Sequence, residues 1–267
     1  MPTILVTGAT DGLGRAVATS LAESGARVVL HGRDDARGQD AIAEIRAATG
    51  NEDLHWQRAD FASLDSVAAL AESLQRDHDR LDVLVNNAGI GTSGPREESE
   101  DGHELRFAVN YLAHFALTRA LLPLLAASAP ARIVNVSSAG QAPIDFDDVM
   151  LENRYDGVQA YCQSKLAQVM FTIDLAEELD PDAVTANCLH PASYMPTKMV
   201  RAAGVSPMSS LEQGRDATLR LVGDPQLAGV SGRYFNGLDE SRAHPQAYDP
   251  EARRRLRELS ERLIKIY

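Results

Sequence analysis

The chain has 267 residues, 44% of them hydrophobic, and its formal net charge is −12 at pH 7. This length suits one large α/β domain, and the acidic balance argues against nucleic-acid binding, which needs a basic face. Two cysteines, Cys162 and Cys188, are too few for a disulfide framework or a zinc site, so a cytoplasmic location is expected. Polar residues interrupt the apolar runs and the N-terminus lacks a basic stretch, so neither a membrane span nor a signal peptide is expected.

Apolar runs typical of buried parallel strands alternate along the chain with helical patterns. The predicted strands are Ile4–Thr7, Arg27–His31, Leu54–Ala59, Val83–Asn86, Ile133–Ser137, Val184–Leu189 and Gly232–Phe235. Arg15–Glu23 and Arg37–Ala47 have helical spacing, and Ser209 and Glu212 are spaced as a capping box. This alternation predicts one doubly wound, Rossmann-like α/β domain over residues 1–267, with a mostly seven-stranded parallel sheet and helices on both faces. The long irregular segment 191–210 is expected to form a substrate lid.

A glycine loop, residues 7–14, follows the first predicted strand and precedes the first helix. Its glycines allow a tight turn and close approach of the backbone to a pyrophosphate, which the helix N-terminus also attracts. At this place in the chain the loop predicts a dinucleotide site, with a plain structural turn as the alternative. The cofactor contacts expected here are Gly8, Thr10, Asp11, Gly12, Leu13 and Gly14.

Tyr161 and Lys165 are four residues apart, which places them on one face of a helix. A nearby ammonium lowers the pKa of a tyrosine, so that the phenol can exchange a proton with an alcohol or alkoxide. Ser138 comes just after a predicted parallel strand, where such sheets place their sites. The alternative is an ordinary solvated helix face.

The TGxxxGxG spacing resembles that of the short-chain dehydrogenase/reductase family, and other motifs extend this resemblance over the whole chain. In order, they are Asp60, Asn86-Asn87-Ala88-Gly89, Asn110, Ser138, Tyr161-Cys162-Gln163-Ser164-Lys165 and His190-Pro191. Gly232-Arg233-Tyr234-Phe235 and the spacing from Ser138 to Tyr161 look most like retinol-dehydrogenase-type members.

The resemblance implies four catalytic residues. Tyr161 would be the general acid/base, and Lys165 would bind the nicotinamide ribose and lower the pKa of the tyrosine. Ser138 would hydrogen-bond the substrate oxygen, since the family motif aligns the second serine of the pair and not Ser137. Asn110 would hold a water that links Lys165 to solvent.

The resemblance also implies cofactor contacts beyond the glycine loop. They are Asp60, Phe61, Asn87, Ala88, Gly89, Tyr161, Lys165, Pro191 and Thr197. Two features depart from the family pattern, because Ala192 replaces the glycine that often follows the proline, and Thr197 lies one residue later than usual.

The second predicted strand leads into Gly32 and Arg33. NAD-selective members of the family place an aspartate where this chain has Gly32, and the guanidinium of Arg33 suits a 2′-phosphate. The sequence therefore predicts NADP(H), with Arg15 as a further source of positive potential.

The leading interpretation is an NADP(H)-dependent carbonyl reductase or alcohol dehydrogenase. Apolar lid residues, Met199 and Met208 among them, favour a small hydrophobic carbonyl or alcohol. A sugar-nucleotide epimerase is disfavoured by the chain length, and an NADP(H)-binding redox sensor without turnover is the main alternative. No metal is expected, because the histidines lack metal-ligand spacing.

Three helical segments carry further expectations. Helices near Leu105–Leu125 and Ala160–Leu179 are apolar over more than one stripe, and in this family such helices pair between subunits, so a homodimer or homotetramer is expected. The segment Glu251–Ile266 is predicted to be an amphipathic helix, with Arg253-Arg254-Arg255 on its solvated face.

Overall fold

A central sheet of eight strands organises the computed structural model, which describes residues 1–264. The strands are β1 (Thr3–Val6), β2 (Arg27–Gly32), β3 (Leu54–Arg58), β4 (Val83–Asn86), β5 (Ala131–Val136), β6 (Val184–His190), β7 (Tyr234–Asn236) and β8 (Asp239–Ser241). Their order is β3-β2-β1-β4-β5-β6-β7-β8, and β1 to β7 pair in parallel. The doubly wound sheet is thus confirmed. The short antiparallel β8 was not predicted, because its three residues are exposed and show no apolar pattern.

Helices lie on both faces of the sheet. They are α1 (Gly12–Glu23), α2 (Asp35–Thr49), α3 (Leu64–Asp77), α4 (Leu105–Phe107), α5 (Ala113–Ala127), α6 (Gly157–Glu178), α7 (Lys198–Ala202), α8 (Leu211–Gly223) and α9 (Pro250–Ile264). A π-helical turn, Ala108–Leu112, joins α4 to α5. The capping box before α8 uses Ser210 and Gln213, so the predicted pair Ser209 and Glu212 was wrong by one residue.

Successive residues of the central strands face opposite cores, as the pleat requires. Leu5 packs into the core under α3, α5 and α6, whereas Ile4 and Val6 pack into the core under α1, α2 and α8. All four residues of β1 are buried. Such strands are therefore continuous apolar runs, which is the pattern that made them recognisable in the sequence.

The segment Leu105–Ala127, which runs from α4 through the π-turn into α5, is long and apolar enough to cross a membrane, with a mean hydropathy of 1.2 over its most apolar window. By length and composition alone this segment could span a membrane, so the expectation that the chain has no such segment was wrong. Within the structure 61% of that window is buried. Its apolarity is that of a core helix, which puts apolar residues on more than one side.

The C-terminal helix α9 packs on α6 and on the π-turn. The hydroxyl groups of Tyr111 and Ser260 are hydrogen-bonded at 2.7 Å. Arg257 binds the nearly buried carboxylate of Asp174 at 2.9 and 3.0 Å. Arg253 is buried and binds Glu177 at 2.6 Å, so its predicted place on the solvated face was wrong. Part of the apolar surface that suggested an oligomer is thus covered by the chain itself, and the homodimer or homotetramer stays a prediction. Residues 265 and 266 of the predicted helix lie outside the described residues.

We expect Arg257→Met to lower the free energy of unfolding by about 1–2 kcal/mol, because it leaves the Asp174 carboxylate nearly buried beside Glu178 without its cation. This is less than for a fully buried pair, since Arg257 is partly exposed. Urea unfolding followed by circular dichroism measures the effect. Arg254→Met on the solvated face of α9 is the matched control and should change little. Equal losses in the two variants would contradict the role given to Arg257.

Two buried histidines lie beneath the first turn of the sheet. Nδ1 of His31, on β2, accepts a hydrogen bond from the Gly8 amide at 3.3 Å, so Nε2 carries the proton towards the Ala59 carbonyl at 3.1 Å. Burial lowers the pKa of His31 to about 4 and the pKa of His114, on α5, to about 3. Both rings are therefore neutral at physiological pH.

These depressed pKa values predict acid sensitivity. The unfolded chain binds these protons below pH ~6.5, so stability is intact above that pH and falls as the pH drops towards the folded-state values, by about 1.4 kcal/mol per pH unit for each histidine. We expect His31→Gln to flatten the pH dependence of the urea-derived unfolding free energy between pH 6.5 and 4.5. His55→Gln, an exposed histidine on β3, is the control. Identical pH slopes for wild type and His31→Gln would refute the assignment.

Candidate active site

Two turns meet at the carboxyl ends of β1 and β4, where the strand order reverses and such sheets form their ligand crevice. Gly8 has φ +67°, and a Cβ on it would lie 2.8 Å from Cα of Ala88. The Asn87 side chain donates to the Thr7 carbonyl at 2.8 Å, and the Asn87 and Ala88 amides donate to the Thr7 hydroxyl at 2.8 and 3.0 Å. The two turns are thus packed backbone to backbone, and side chains at position 8 are excluded.

The remaining residues of the glycine loop differ in what they do. Asp11 caps α1, since one carboxylate oxygen accepts from the Gly12 amide at 2.8 Å while the other binds Lys198 at 2.7 Å and Arg37 at 3.3 Å. Thr10 is half-buried, whereas the Leu13 side chain is buried in the core. Leu13 can therefore offer a cofactor its backbone amide but not its side chain.

Ser138, Tyr161 and Lys165 come together at the carboxyl end of β5. The Ser138 hydroxyl is hydrogen-bonded to Tyr161, and Nζ of Lys165 lies 5.8 Å from the centroid of the tyrosine ring. Lys165 is buried and donates to the Val136 carbonyl at 3.0 Å and to the Gln168 side chain at 2.9 Å. Ser137, the competing serine, instead donates its hydroxyl to the Lys165 carbonyl at 2.7 Å. The geometry therefore favours Ser138 as the serine that can meet a substrate.

The pKa of Tyr161 does not follow the simple expectation. Burial raises the pKa of Tyr161, and the hydrogen bond from Ser138 only partly opposes this shift. Burial also lowers the pKa of Lys165 to about 7. Desolvation of the phenol thus outweighs any lowering of the tyrosine pKa by Lys165, whose own charge burial destabilises, and the role assigned to Lys165 stays a prediction. A phenol that stays protonated is suited to donate a proton.

Asn110 lies in the π-turn, and its side chain is fixed on three sides. Its amide oxygen accepts from the Ile90 amide at 2.8 Å, and its nitrogen donates to the Ile90 carbonyl at 3.1 Å and to Ser164 at 3.0 Å. A Cβ on Gly89 would lie 3.1 Å from Oδ1 of Asn110 and 3.7 Å from Nζ of Lys165. The turn after β4 is therefore joined to the helix that carries the tyrosine and lysine.

At the end of β2, Gly32 is covered by an aromatic ring. A Cβ on Gly32 would lie 2.8 Å from Trp56 and 2.9 Å from the Thr10 methyl, so an aspartate there would require Trp56 to move. Arg33 is exposed beside it and, within residues 1–264, forms no ion pair. Arg37 and Arg58 were not predicted, although their guanidinium groups lie at the same edge and bind Asp11 and Asp35. The available signal was their position in the first turn of α2 and at the last residue of β3.

Asp60 and Phe61 follow β3 and have separate roles. Asp60 accepts from the Ala62 amide at 3.0 Å and remains partly exposed. The Phe61 ring is buried and stacks on His31, with ring centroids 4.4 Å apart. Phe61 can thus meet a cofactor through its backbone alone.

The predicted lid begins at the buried Pro191 and returns over the glycine loop. A Cβ on Gly12 would lie 3.2 Å from the Thr197 methyl group, and Thr197 caps α7. Tyr194 has φ +47° and is exposed, as are Met199 and Met208. The segment 191–210 therefore brings Thr197 to the glycine turn and leaves several apolar side chains exposed, and its role as a lid stays a prediction.

Comparisons with known proteins agree with this geometry. The family model described as short chain dehydrogenase matches residues 2–206. Retinol dehydrogenase 13 of Homo sapiens is 40% identical over 283 aligned positions, which cover 99% of this chain and 85% of that protein.

Solved structures give the same result. An uncharacterised protein from Mycobacterium paratuberculosis has a TM-score of 0.81 and 30% identity, covering 99% of this chain and 94% of that one. A short chain dehydrogenase from Shigella flexneri complexed with NADP has a TM-score of 0.70 and 28% identity, covering 89% and 97%. With its whole length matched in sequence and fold, this chain belongs to the short-chain dehydrogenase/reductase family and resembles its retinol-dehydrogenase-type members.

Proposed function

We propose that this protein is an NADP(H)-dependent oxidoreductase that interconverts a carbonyl and a secondary alcohol on a small hydrophobic molecule. The observation that carries this proposal is the contact of Ser138 with Tyr161 above the buried Lys165, next to the glycine turn. When bound, the nicotinamide supplies or accepts the hydride. The family uses nicotinamide dinucleotides of both kinds, so the choice of NADP(H) needs its own support.

The glycine turn suits the pyrophosphate of such a cofactor. The loop is close-packed at Gly8, and the N-terminus of α1 offers an anion its backbone amides beyond Gly12, whose own amide is capped by Asp11. Lys165, Asn110 and Gly89 are grouped where a nicotinamide ribose would be held, and Thr197 reaches the same turn from the lid. These residues would bind and orient the cofactor.

The proton chemistry is assigned to Tyr161. The Ser138 hydroxyl would bind the substrate oxygen and hold it against the phenol, which donates its proton as the oxygen becomes an alkoxide. Burial keeps this phenol protonated, since it raises the pKa of Tyr161, and that favours carbonyl reduction over the reverse reaction. Lys165 is the charged neighbour through which the proton can be replaced.

The preference for NADP(H) is supported at the end of β2. Trp56 occupies the space that an aspartate at position 32 would need. The guanidinium of Arg33 is exposed next to it, forms no ion pair within residues 1–264, and suits a 2′-phosphate. The Shigella relative binds NADP. A hydrophobic substrate is supported by the exposed lid residues Tyr194, Met199 and Met208, and by the resemblance to a retinol dehydrogenase.

Removing the phenol tests the chemistry. We expect Tyr161→Phe to lower kcat for NADPH oxidation with a panel of small hydrophobic carbonyls by about 10³-fold, because general acid catalysis is lost, while the Kd for NADPH changes little. Tyr194→Phe, in the exposed lid, is the control and should keep its activity. A Tyr161→Phe enzyme with wild-type kcat would refute the assignment, and tight NADPH binding without turnover by the wild type would favour the redox sensor.

Removing the guanidinium tests the cofactor preference. We expect Arg33→Ala to raise the Kd for NADPH about 10–100-fold, since a charge-assisted contact to the 2′-phosphate is lost, and to leave the Kd for NADH nearly unchanged. Fluorescence titration measures both constants. Arg76→Ala, on the exposed surface of α3 where its side chain binds Asp77, is the matched control. Equal losses for the two cofactors would contradict NADP(H) selectivity.

A further inference from the structure

A chain of buried polar side chains continues below the active site. Lys165 donates to Oε1 of Gln168 at 2.9 Å, and Nε2 of Gln168 lies 3.1 Å from Nδ1 of His114. Nε2 of His114 lies 3.5 Å from the Thr7 hydroxyl, which binds the turn after β4. All four side chains are buried. The chain therefore joins the catalytic lysine to the first turn of the dinucleotide crevice.

The acceptors of the Lys165 amine carry no charge. They are the backbone carbonyl of Val136 on β5 and the amide oxygen of Gln168, one turn further along α6. A buried ammonium is strongly disfavoured without a compensating partner. The stability of the cationic form of Lys165 thus depends on two carbonyl dipoles. One of them belongs to the Gln168 side chain, which a substitution can remove.

The orientation of the Gln168 amide is determined by its neighbours. If the amide were flipped, its NH₂ group would face the Lys165 amine, and two donors would meet. In the observed orientation the oxygen faces Lys165, and this contact sets the orientation, because Nδ1 of His114 donates to the Asn110 carbonyl at 2.9 Å and does not accept from the nearby Gln168 nitrogen. Because burial lowers the pKa of His114 to about 3, the ring is neutral and adds no positive charge that would repel the lysine.

We propose that Gln168 is a positioning residue for the reaction, whose side-chain carbonyl keeps Lys165 cationic and holds its amine near Tyr161. This inference rests on the proposed function. A cationic lysine favours the phenolate of Tyr161 and speeds return of the proton. Gln168 touches neither substrate nor cofactor and acts through Lys165.

Among the groups that face the Lys165 amine, Gln168 is the side chain whose substitution removes a hydrogen-bond acceptor. Tyr161 faces it from the same helix and His114 from α5, and these two are titratable. Val136 on β5 and Gly89 after β4 offer uncharged backbone. No carboxylate among residues 1–264 is within ion-pair distance of its amine.

The test is a titration of Lys165 by NMR of the protein labelled with ¹³C-lysine, with the signal assigned by comparison with Lys165→Met. In Gln168→Met, which has similar length but no carbonyl, we expect Lys165 to lose its proton about one pH unit lower than in wild type, as the loss of a hydrogen bond to a charged group implies. For alcohol oxidation, kcat/KM at neutral pH should fall about tenfold while its plateau at high pH is kept.

Gln163→Met is the matched control, because Gln163 is equally buried on α6 but donates to the Val149 carbonyl. It should leave the titration unchanged. Should Gln168→Met fail to fold, Gln168→Asn withdraws the carbonyl by about 1.5 Å and should shift the titration in the same direction.

Coincident titrations of Lys165 for wild type and the folded Gln168 variant would overturn the proposal. Absence of turnover by the wild type with every alcohol and carbonyl tested would count against the proposed function instead. In that case the titration of Lys165, which needs no substrate, still decides the role of Gln168.

Discussion

Burial of the Lys165 amine among uncharged oxygens is the constraint on which the site depends. Its partners are a strand carbonyl and a glutamine side chain, and burial lowers its pKa to about 7. The folded chain thus holds a group that is destabilised in its charged form. Such a group is costly for stability and useful for catalysis, since a small change in its surroundings changes its protonation near neutral pH.

The rest of the fold keeps that amine in place. β5 supplies the Val136 carbonyl, α6 supplies Tyr161 and Gln168, and α5 supplies His114. The π-turn before α5 positions Asn110 so that its side chain closes on Ile90 and Ser164. Because these groups are buried and mutually hydrogen-bonded, loss of one leaves its partner unsatisfied, and the site is stiff for that reason.

Motifs and strand patterns made the architecture and the main site residues predictable. The apolar runs placed seven of the eight strands, and the glycine loop fell on the turn where the sheet reverses its order. The capping box before α8 was misplaced by a local shift of one residue, whereas the misplacement of Arg253 reflects contacts between distant segments. Arg253 has the charge of a surface residue, and it is buried because it binds Glu177 on α6 and the Ala247 carbonyl. The pKa of Tyr161 likewise depends on burial, which the spacing to Lys165 does not reveal.

The proposed lid, residues 191–210, is held by exposed contacts, whereas Lys165 is held by buried hydrogen bonds. None of the residues of α7 is buried, and its ion pair from Lys198 to Asp11 joins side chains that are 69% and 41% exposed. Exposed pairs of this kind contribute about 1 kcal/mol or less. The positive φ of Tyr194 adds strain to the same segment. Opening of this proposed lid is therefore expected to cost little, whereas displacing Lys165 would break buried hydrogen bonds, so a substrate could enter without disturbing the residues to which proton transfer is assigned.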